Sequence, residues 1–195
     1  MDIVFSEVSK IFQNLTVLNR FSFRFLHGER YCLCGPSGCG KTTLLNMASG
    51  LILPDSGRID TGAARISYVF QENRLLPWAT ASKNIALVSS AEEAEDWLKR
   101  LGMQDFSSAF PEELSGGMKR RISIARALAA KSDAYFFDEP FQGLDSDSKQ
   151  HTLKEIESAT RGKLCLFVTH DPEDAHRVAQ HVLSLSGPPL SIAEK

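Results

Sequence analysis

A glycine-rich loop in the first quarter of the chain has the residue types that hold phosphate. Residues 35 to 42 fit the pattern G-x-x-x-x-G-K-S/T at every fixed position. Glycines let the backbone wrap around phosphate oxygens, while exposed N–H groups and a helix N-terminus supply partial positive charge. A chance glycine turn is the alternative, but a buried strand precedes the loop and a helix follows it, as the pattern requires.

Each residue of the loop has an expected task. Lys41 can reach the β- and γ-phosphates, the Thr42 hydroxyl can ligate Mg²⁺, and Thr43 can lie near the α-phosphate. The predicted phosphate-binding residues are Gly35, Pro36, Ser37, Gly38, Cys39, Gly40, Lys41, Thr42 and Thr43.

Two adjacent carboxylates stand where an apolar strand ends, in Tyr135-Phe136-Phe137-Asp138-Glu139. Ligands of open α/β sheets bind at the carboxyl ends of the strands. Asp138 is placed to hold Mg²⁺ through water, and Glu139 to polarise an attacking water as a general base. An ordinary solvated strand end is the alternative, and the phosphate loop favours the catalytic interpretation.

Composition limits the class of protein. The chain has 195 residues, of which 43% are hydrophobic, which suits one compact domain. It has 22 Lys and Arg against 24 Asp and Glu and no basic run, so we expect no nucleic-acid partner. No signal peptide is evident, and the longest apolar runs are only strand-sized. We therefore expect a cytoplasmic protein that another chain holds if it works at a membrane.

The four cysteines are predicted to be structural. Cys32 and Cys34 would share one face of a strand, where a disulfide is unfavourable, so they indicate small core residues. Cys39 lies in the phosphate loop, and Cys165 lies in an apolar run. A zinc site is the alternative, but no CxxC or paired histidine spacing supports it.

The pattern of elements around these motifs predicts an α/β fold with a parallel core sheet and an antiparallel piece beside it. Phe21, Phe23 and Phe25 alternate with polar residues, which is typical of a half-buried strand. We expect strands at 3–8, 20–26, 30–34, 65–70, 134–138 and 164–168. We expect helices at 42–49, 91–101, 118–130 and 146–160, a mainly helical block at 80–110, and a turn at 54–57.

A second glycine motif separates phosphate-loop families from one another. Ser115, Gly116 and Gly117 lie at a predicted helix start, where they can form a second anion-binding terminus. Together with Gln71 after a strand and His170 after another, they make the chain resemble the nucleotide-binding subunits of ABC transporters from about residue 3 to 182. Taken singly, Gln71 could be a solvated loop residue and His170 a satisfied strand-end histidine.

The resemblance implies a fold, a cofactor and a dimer. It implies a P-loop NTPase with a RecA-like parallel core sheet, an antiparallel β subdomain and a helical signature subdomain at about 75–130, in a single domain spanning 1–195. ATP with Mg²⁺ would lie between the phosphate loop of one subunit and the signature of the other, in a homodimer or a pair with another ATPase subunit.

The resemblance also implies roles for the remaining site residues. Ser115 and Gly117 would contact a γ-phosphate held by the second subunit, with Gly116 beside them. Gln71 would help to ligate Mg²⁺ and sense the nucleotide, and His170 would contact the γ-phosphate and orient the water. Asp145, in Gly143-Leu144-Asp145, would couple the two sites across the dimer interface.

A finer resemblance concerns transport. Leu75-Leu76-Pro77-Trp78, after the Gln71 loop, is similar to importers of the nitrate, sulfonate, taurine and pyrimidine-precursor group. This implies an integral membrane permease as partner, a solute-binding protein acting indirectly, and a place on the inner face of the cell membrane. An exposed apolar loop with a packing Trp is the alternative, and such a loop would itself suit docking of a permease.

The chain departs from the family pattern at a few positions. Phe12 stands where a Tyr or Trp usually stacks on adenine, and we expect it to do the same. Met118 and Arg120 replace glutamines of many members, and Gln142-Gly143 replaces a smaller pair.

Two other functions compete with an importer ATPase. A soluble ABC protein of DNA repair or translation would usually carry a coiled-coil insertion or a second nucleotide domain, and this chain carries neither. A phosphate-loop kinase of small metabolites is disfavoured by Ser115-Gly116-Gly117 and by His170.

Overall fold

The structure is a computed structural model that describes residues 1–62 and 64–192. Contacts within it form two compact units. The first contains residues 1–66, 133–138 and the chain from 162 onward, and the second contains residues 67–132 and 139–161.

Among its described residues, the first unit holds two sheets and two helices. Its strands are β1 (Ile3–Phe12), β2 (Leu15–Phe25), β3 (Arg30–Cys34), β4 (Ser56–Asp60), β6 (Ala134–Asp138), β7 (Leu164–Val168), β8 (His181–Ser186) and β9 (Ser191–Ile192), and its helices are α1 (Lys41–Ala48) and α6 (Pro172–Val178). The strand β5 (Ile66–Val69) begins at the boundary between the units.

The core of the first unit is the sheet in which β6, β7, β3, β8 and β9 lie side by side in that order. The four strands from β6 to β8 are parallel, and β9 is antiparallel to β8. Every residue of β6 and β7 is buried, which explains why both sequences are apolar apart from Asp138 at the end of β6. Phe137 and Phe167 stack with ring centroids 4.8 Å apart across these two strands.

The antiparallel sheet has the order β2-β1-β4. The predicted period-two strand is confirmed, because Phe21 and Phe25 are buried, Phe23 is half-buried, and the residues between them are exposed. Both strands are longer than predicted, since Phe12 pairs with Leu15 at the end of the hairpin. Sequence patterns missed this part because its apolar residues do not alternate with polar ones, and Ile11, Phe12 and Leu15 are exposed rather than packed in the core.

The turn predicted at 54–57 is partly wrong, because Ser56 and Gly57 belong to β4. Gly57 has a φ of +82°, and a Cβ there would lie 2.3 Å from the carbonyl oxygen of Glu7 in β1. A glycine in this irregular register therefore marks a close approach of two strands rather than a loop.

The second unit is mainly helical. It contains α2 (Ala81–Ala86), α3 (Ala91–Arg100), α4 (Gly116–Ala129) and α5 (Ser146–Ala159), with short 3₁₀ turns at Gln104–Phe106 and Pro111–Glu113. The helices α2, α3 and α4 pack against one another. The block predicted as helical at 80–110 is thus interrupted after α3, where Gly102 takes a φ of +65°. The proposed boundaries of a helical subdomain at about 75–130 stay a prediction.

The other elements follow the predictions closely at some ends and not at others. The strands at 30–34, 134–138 and 164–168 are confirmed. Ser115, at the predicted helix start, caps α4 by accepting a hydrogen bond from the Met118 N–H over 3.2 Å. The helix itself begins at Gly116, two residues before the predicted start. The elements α6, β8 and β9 were not predicted.

Candidate functional site

The loop from Gly35 to Thr42 connects β3 to α1 in the first unit. A Cβ at Gly35 would lie 2.4 Å from the carbonyl oxygen of Leu185, so packing alone excludes a side chain there. Gly40 caps α1 with a φ of +111°, which favours glycine. The Lys41 ammonium donates to the carbonyl oxygens of Gly35 at 2.8 Å and Pro36 at 2.9 Å, so the lysine lies folded over its own loop.

The outer part of this loop is open to solvent, whereas its inner part is packed. Pro36, Ser37 and Gly38 are exposed, and Cys39 and Gly40 are buried. Since the Cys39 side chain is fully buried, that residue can offer a ligand only its backbone. The exposed backbone lies directly before the N-terminus of α1, which is the arrangement that attracts anions.

A hydroxyl and a carboxylate meet beside the loop. Thr42 Oγ1 donates to Asp138 Oδ2 over 2.9 Å, although the two residues are 96 positions apart in the chain. Asp138 is only 2% exposed. Mg²⁺ prefers hard oxygen ligands and usually takes one or two protein groups together with phosphates and water. Thr42 and Asp138 therefore fit a magnesium ion that a bound polyphosphate would complete.

His170 follows β7 at the same edge of the sheet. In the register of the parallel strands, Asp138 of β6 pairs with Val168 of β7, and Val168 pairs with Leu33 of β3. The phosphate loop, Asp138 and the segment carrying His170 thus leave the sheet side by side at its carboxyl edge. The His170 side chain is exposed, and Thr169 before it is buried.

Phe12 lies at the end of the hairpin between β1 and β2 and is 41% exposed. The Lys10 ammonium lies 5.3 Å from the centroid of its ring and also pairs with Asp55 at 2.7 Å. An exposed aromatic ring can stack on a base. Stacking of Phe12 on adenine is therefore possible at this position, and it stays a prediction.

In the second unit, the predicted signature lies at the exposed start of α4. Ser115 and Gly116 are exposed, and a Cβ on Gly116 would meet nothing within 4 Å. Gly117 differs, because a Cβ there would lie 2.7 Å from the carbonyl oxygen of Gly143. This glycine therefore permits the close approach of α4 to the turn before α5.

Two acidic residues of the second unit have unusual local surroundings. Glu139 has a φ of +49°, a left-handed conformation that non-glycine residues rarely adopt and that is common at functional sites. Asp145 caps α5, accepting hydrogen bonds from the Ser148 N–H at 2.9 Å and the Ser148 hydroxyl at 2.8 Å. These bonds, the backbone one first, lower the pKa of Asp145 below its ordinary value. Asp145 thus has a structural task that sequence reasoning missed.

Comparison with known proteins identifies the family. The family model described as ABC transporter matches residues 18–142. The chain belongs to the ABC transporter family. The cassette is 33% identical to the aliphatic sulfonates import ATP-binding protein SsuB of Bacillus cereus (strain ZK / E33L), over 98% of this chain and 84% of that protein. It is 37% identical to the bicarbonate transport ATP-binding protein CmpD of Synechocystis, over 96% of this chain and 75% of that protein.

Solved structures agree with this assignment. The cassette is similar to the dimeric structure of the bacterial ABC transporter cassette MJ0796, with a TM-score of 0.82, 27% identity and 93% of each chain covered. It is also similar to the dimeric post-hydrolysis state of MJ0796 bound to ADP and Pi, with a TM-score of 0.85, 25% identity and 99% of each chain covered. The predicted α/β fold and the resemblance to the importer group are thereby confirmed, and the cassette is an ATP-binding protein.

The cassette contains polar side chains near Gln71 that sequence reasoning missed. Gln71 itself is exposed, but its carbonyl oxygen accepts a hydrogen bond from the buried Arg120 of α4. Asn84 of α2 is fully buried and bonds both the N–H and the carbonyl of Leu76. Arg120 could have been suspected from its sequence, since this charged residue lies on the same helical face as Ile124, Ala127 and Leu128.

The described ranges 1–62 and 64–192 contain no helix that is both long and apolar enough to cross a membrane. Within these ranges, no three or more His, Cys, Asp or Glu side chains are grouped to hold a metal. None of the four cysteines, all of which lie in the described ranges, forms a disulfide; Cys32 Sγ and Cys34 Sγ are 3.7 Å apart and share a hydrogen bond, and all but Cys34 are buried.

Proposed function

We propose that this cassette hydrolyses ATP, with Mg²⁺, to energise an ABC importer of a small solute. The observation that carries the proposal is the 2.9 Å hydrogen bond between Thr42 and Asp138 at the phosphate loop. This bond brings together the hydroxyl and the carboxylate that a magnesium–nucleotide complex needs. The family membership and the likeness to an ADP-bound cassette support ATP as the nucleotide.

Catalysis in this proposal is positioning and charge stabilisation. The loop N–H groups and Lys41 hold the phosphates. To reach them, the Lys41 ammonium leaves the carbonyl oxygens of Gly35 and Pro36 to which it donates in this structure. Thr42 and Asp138 would hold Mg²⁺, which when bound would neutralise charge on the phosphates. Glu139 accepts the proton of the attacking water, and His170 orients that water at the γ-phosphate.

The residues of the second unit complete the proposed site in a dimer. Ser115 and Gly117 would contact the γ-phosphate held by the other subunit. The N–H groups at the start of α4 would donate hydrogen bonds to this anion. Gln71 would help to ligate Mg²⁺. Asp145 would couple the sites, although its carboxylate also caps α5. The dimeric state of a similar cassette supports this arrangement.

A membrane permease is the proposed partner, and the cytoplasmic face of the membrane is the proposed location. The second unit exposes large apolar side chains, with Trp78 at 74%, Leu87 at 56% and Val88 at 47% exposure. Exposed apolar surface of this kind suits contact with another protein. The sulfonate and bicarbonate transport proteins that the chain resembles support a small solute as cargo. A solute-binding protein would act indirectly, through the permease.

Purification from membranes tests the importer proposal. The tagged chain, produced in its source cells and extracted in mild detergent, should bring an integral membrane protein with it. Trp78→Ser should lower the yield of that protein, whereas Phe106→Ser, which alters a comparably apolar but 40% exposed side chain, should not. Recovery of repair or translation factors with no integral membrane protein would contradict the proposal.

A further inference from the structure

The helix that carries the signature also holds the Gln71 loop, through the side chain of Arg120. Arg120 is 3% exposed. Its Nη1 donates to the carbonyl oxygen of Phe70 at 2.6 Å, and its Nη2 donates to the carbonyl oxygen of Gln71. A planar fork that bonds two successive carbonyls fixes the path of the backbone, which a lysine ammonium does less well.

The rest of the loop is held in the same manner. Arg126, also in α4, donates to the carbonyl oxygens of Asn73 at 3.4 Å and Arg74 at 3.0 Å. The guanidinium of Arg74 lies 3.7 Å from the centre of the Phe70 ring. The backbone of segment 70–74 is thus tied to α4 at four carbonyls, while the Gln71 side chain stays exposed.

We propose that Arg120 is a positioning residue that fixes the Gln71 backbone to the signature helix, so that Gln71 and Ser115 move together. This inference rests on the proposed function of Gln71 as a magnesium ligand. Arg120 lies five residues after Ser115 in sequence, which is about 7.5 Å along the axis of a helix. One side chain therefore links the residue that senses this subunit's nucleotide to the residue that serves the other subunit's nucleotide.

The link has a consequence for catalysis. The phosphate loop binds ATP without Arg120, so the affinity for nucleotide should not depend on it. The placement of the Gln71 amide on Mg²⁺ should depend on it, because a small error in position costs rate rather than binding. Loss of Arg120 should therefore lower kcat and raise the Mg²⁺ requirement, with little change in the KM for ATP.

Two variants test the anchor, and a third is the control. Arg120→Lys keeps the charge but loses the fork, and Arg120→Gln keeps a single amide donor. Arg100→Lys is the matched control, because Arg100 is a partly buried arginine of the same unit that pairs with Glu155 at 2.6 Å and bonds no loop carbonyl of residues 70–74. If Arg120→Gln fails to fold, Arg120→Lys carries the comparison.

Hydrogen exchange of the nucleotide-free protein is the first measurement. Both Arg120 variants should exchange about tenfold faster in peptides covering residues 70–78, because neither side chain can bond both loop carbonyls as the guanidinium fork does. Peptides covering 134–138 and 164–168 should be unchanged, and the control should match the wild type throughout. Unchanged exchange at 70–78 in both variants would overturn the anchor.

ATPase kinetics is the second measurement. We expect Arg120→Lys to lower kcat about tenfold and Arg120→Gln to lower it further, with a higher half-saturating Mg²⁺ concentration and a KM for ATP within about twofold. Faster exchange with unchanged kcat and Mg²⁺ dependence would overturn the positioning role. A wild-type protein without ATPase activity would contradict the proposed function instead, and exchange alone would then support or overturn the anchor.

Discussion

Gly117 lies so close to Gly143 that a Cβ on Gly117 would stand 2.7 Å from the Gly143 carbonyl oxygen. Gly117→Ala should therefore force backbone apart and lower the free energy of unfolding by about 1–3 kcal/mol. Gly116→Ala should leave it equal or slightly higher, since a Cβ there meets no atom within 4 Å. Thermal melts of the two variants measure this difference, because a Cβ meets backbone atoms at Gly117 and none at Gly116. An equal loss of melting temperature in both variants would contradict the packing.

The pair formed by Thr42 and Asp138 predicts a magnesium phenotype. Asp138→Asn should raise the Mg²⁺ concentration for half-maximal ATPase activity about 10–100-fold, as expected for a carboxylate that orients a metal's water ligands. Asp133→Asn is the control, because Asp133 directly precedes β6, at its other end, and bonds the Arg65 N–H at 3.0 Å. A Mg²⁺ titration of phosphate release distinguishes them. Equal titrations for Asp138→Asn and the wild type would remove Asp138 from the site.

Glu139→Gln separates binding from hydrolysis. The carboxylate is proposed as the general base, so its loss should slow turnover by about 10²–10⁴-fold while ATP stays bound in a stable dimer. Sedimentation with ATP should show the dimer, and phosphate release should be nearly absent. Near-normal hydrolysis by this variant would refute the assignment of the base.

The cap of α5 predicts a dependence of stability on acid. Hydrogen bonds from Ser148 lower the pKa of Asp145 in the folded protein, so folding favours the ionised carboxylate. Its contribution to stability is present above about pH 4 and is lost as the pH falls through the lowered pKa. Asp145→Asn keeps a capping oxygen that does not titrate. The melting temperature of the Asp145→Asn variant should therefore fall less than that of the wild type between about pH 6 and pH 3. An equal fall in both proteins would contradict this prediction.

The sequence predicted the parallel core and the phosphate loop because their signals are local. Residues 134–137 form a continuous apolar run between Asp133 and Asp138, and a buried parallel strand requires such a run. All fixed positions of the phosphate-loop pattern lie within residues 35–42, so one short segment of sequence is enough to recognise it. The strand β8 has no such signal, since its burial alternates poorly and its place depends on pairing with β3.

The parts of the site that sequence reasoning missed depend on distant contacts. Nothing near Arg120 in the chain shows that its partners are the carbonyls of Phe70 and Gln71, about fifty residues earlier. Gly117 was interpreted through the signature alone, whereas its approach to Gly143 is a property of packing. Site roles for Phe12, Glu139 and His170 stay predictions, of which Glu139→Gln tests the one for Glu139.

Phosphate release from ATP tests the central claim most directly. With Mg²⁺, the purified wild-type chain should convert ATP to ADP and inorganic phosphate in equal amounts. Lys41→Ala should weaken ATP binding and abolish the release, because the ammonium no longer reaches the phosphates. Absence of hydrolysis by the wild type, transfer of phosphate to an added metabolite, or unchanged ATP affinity in Lys41→Ala would contradict the account.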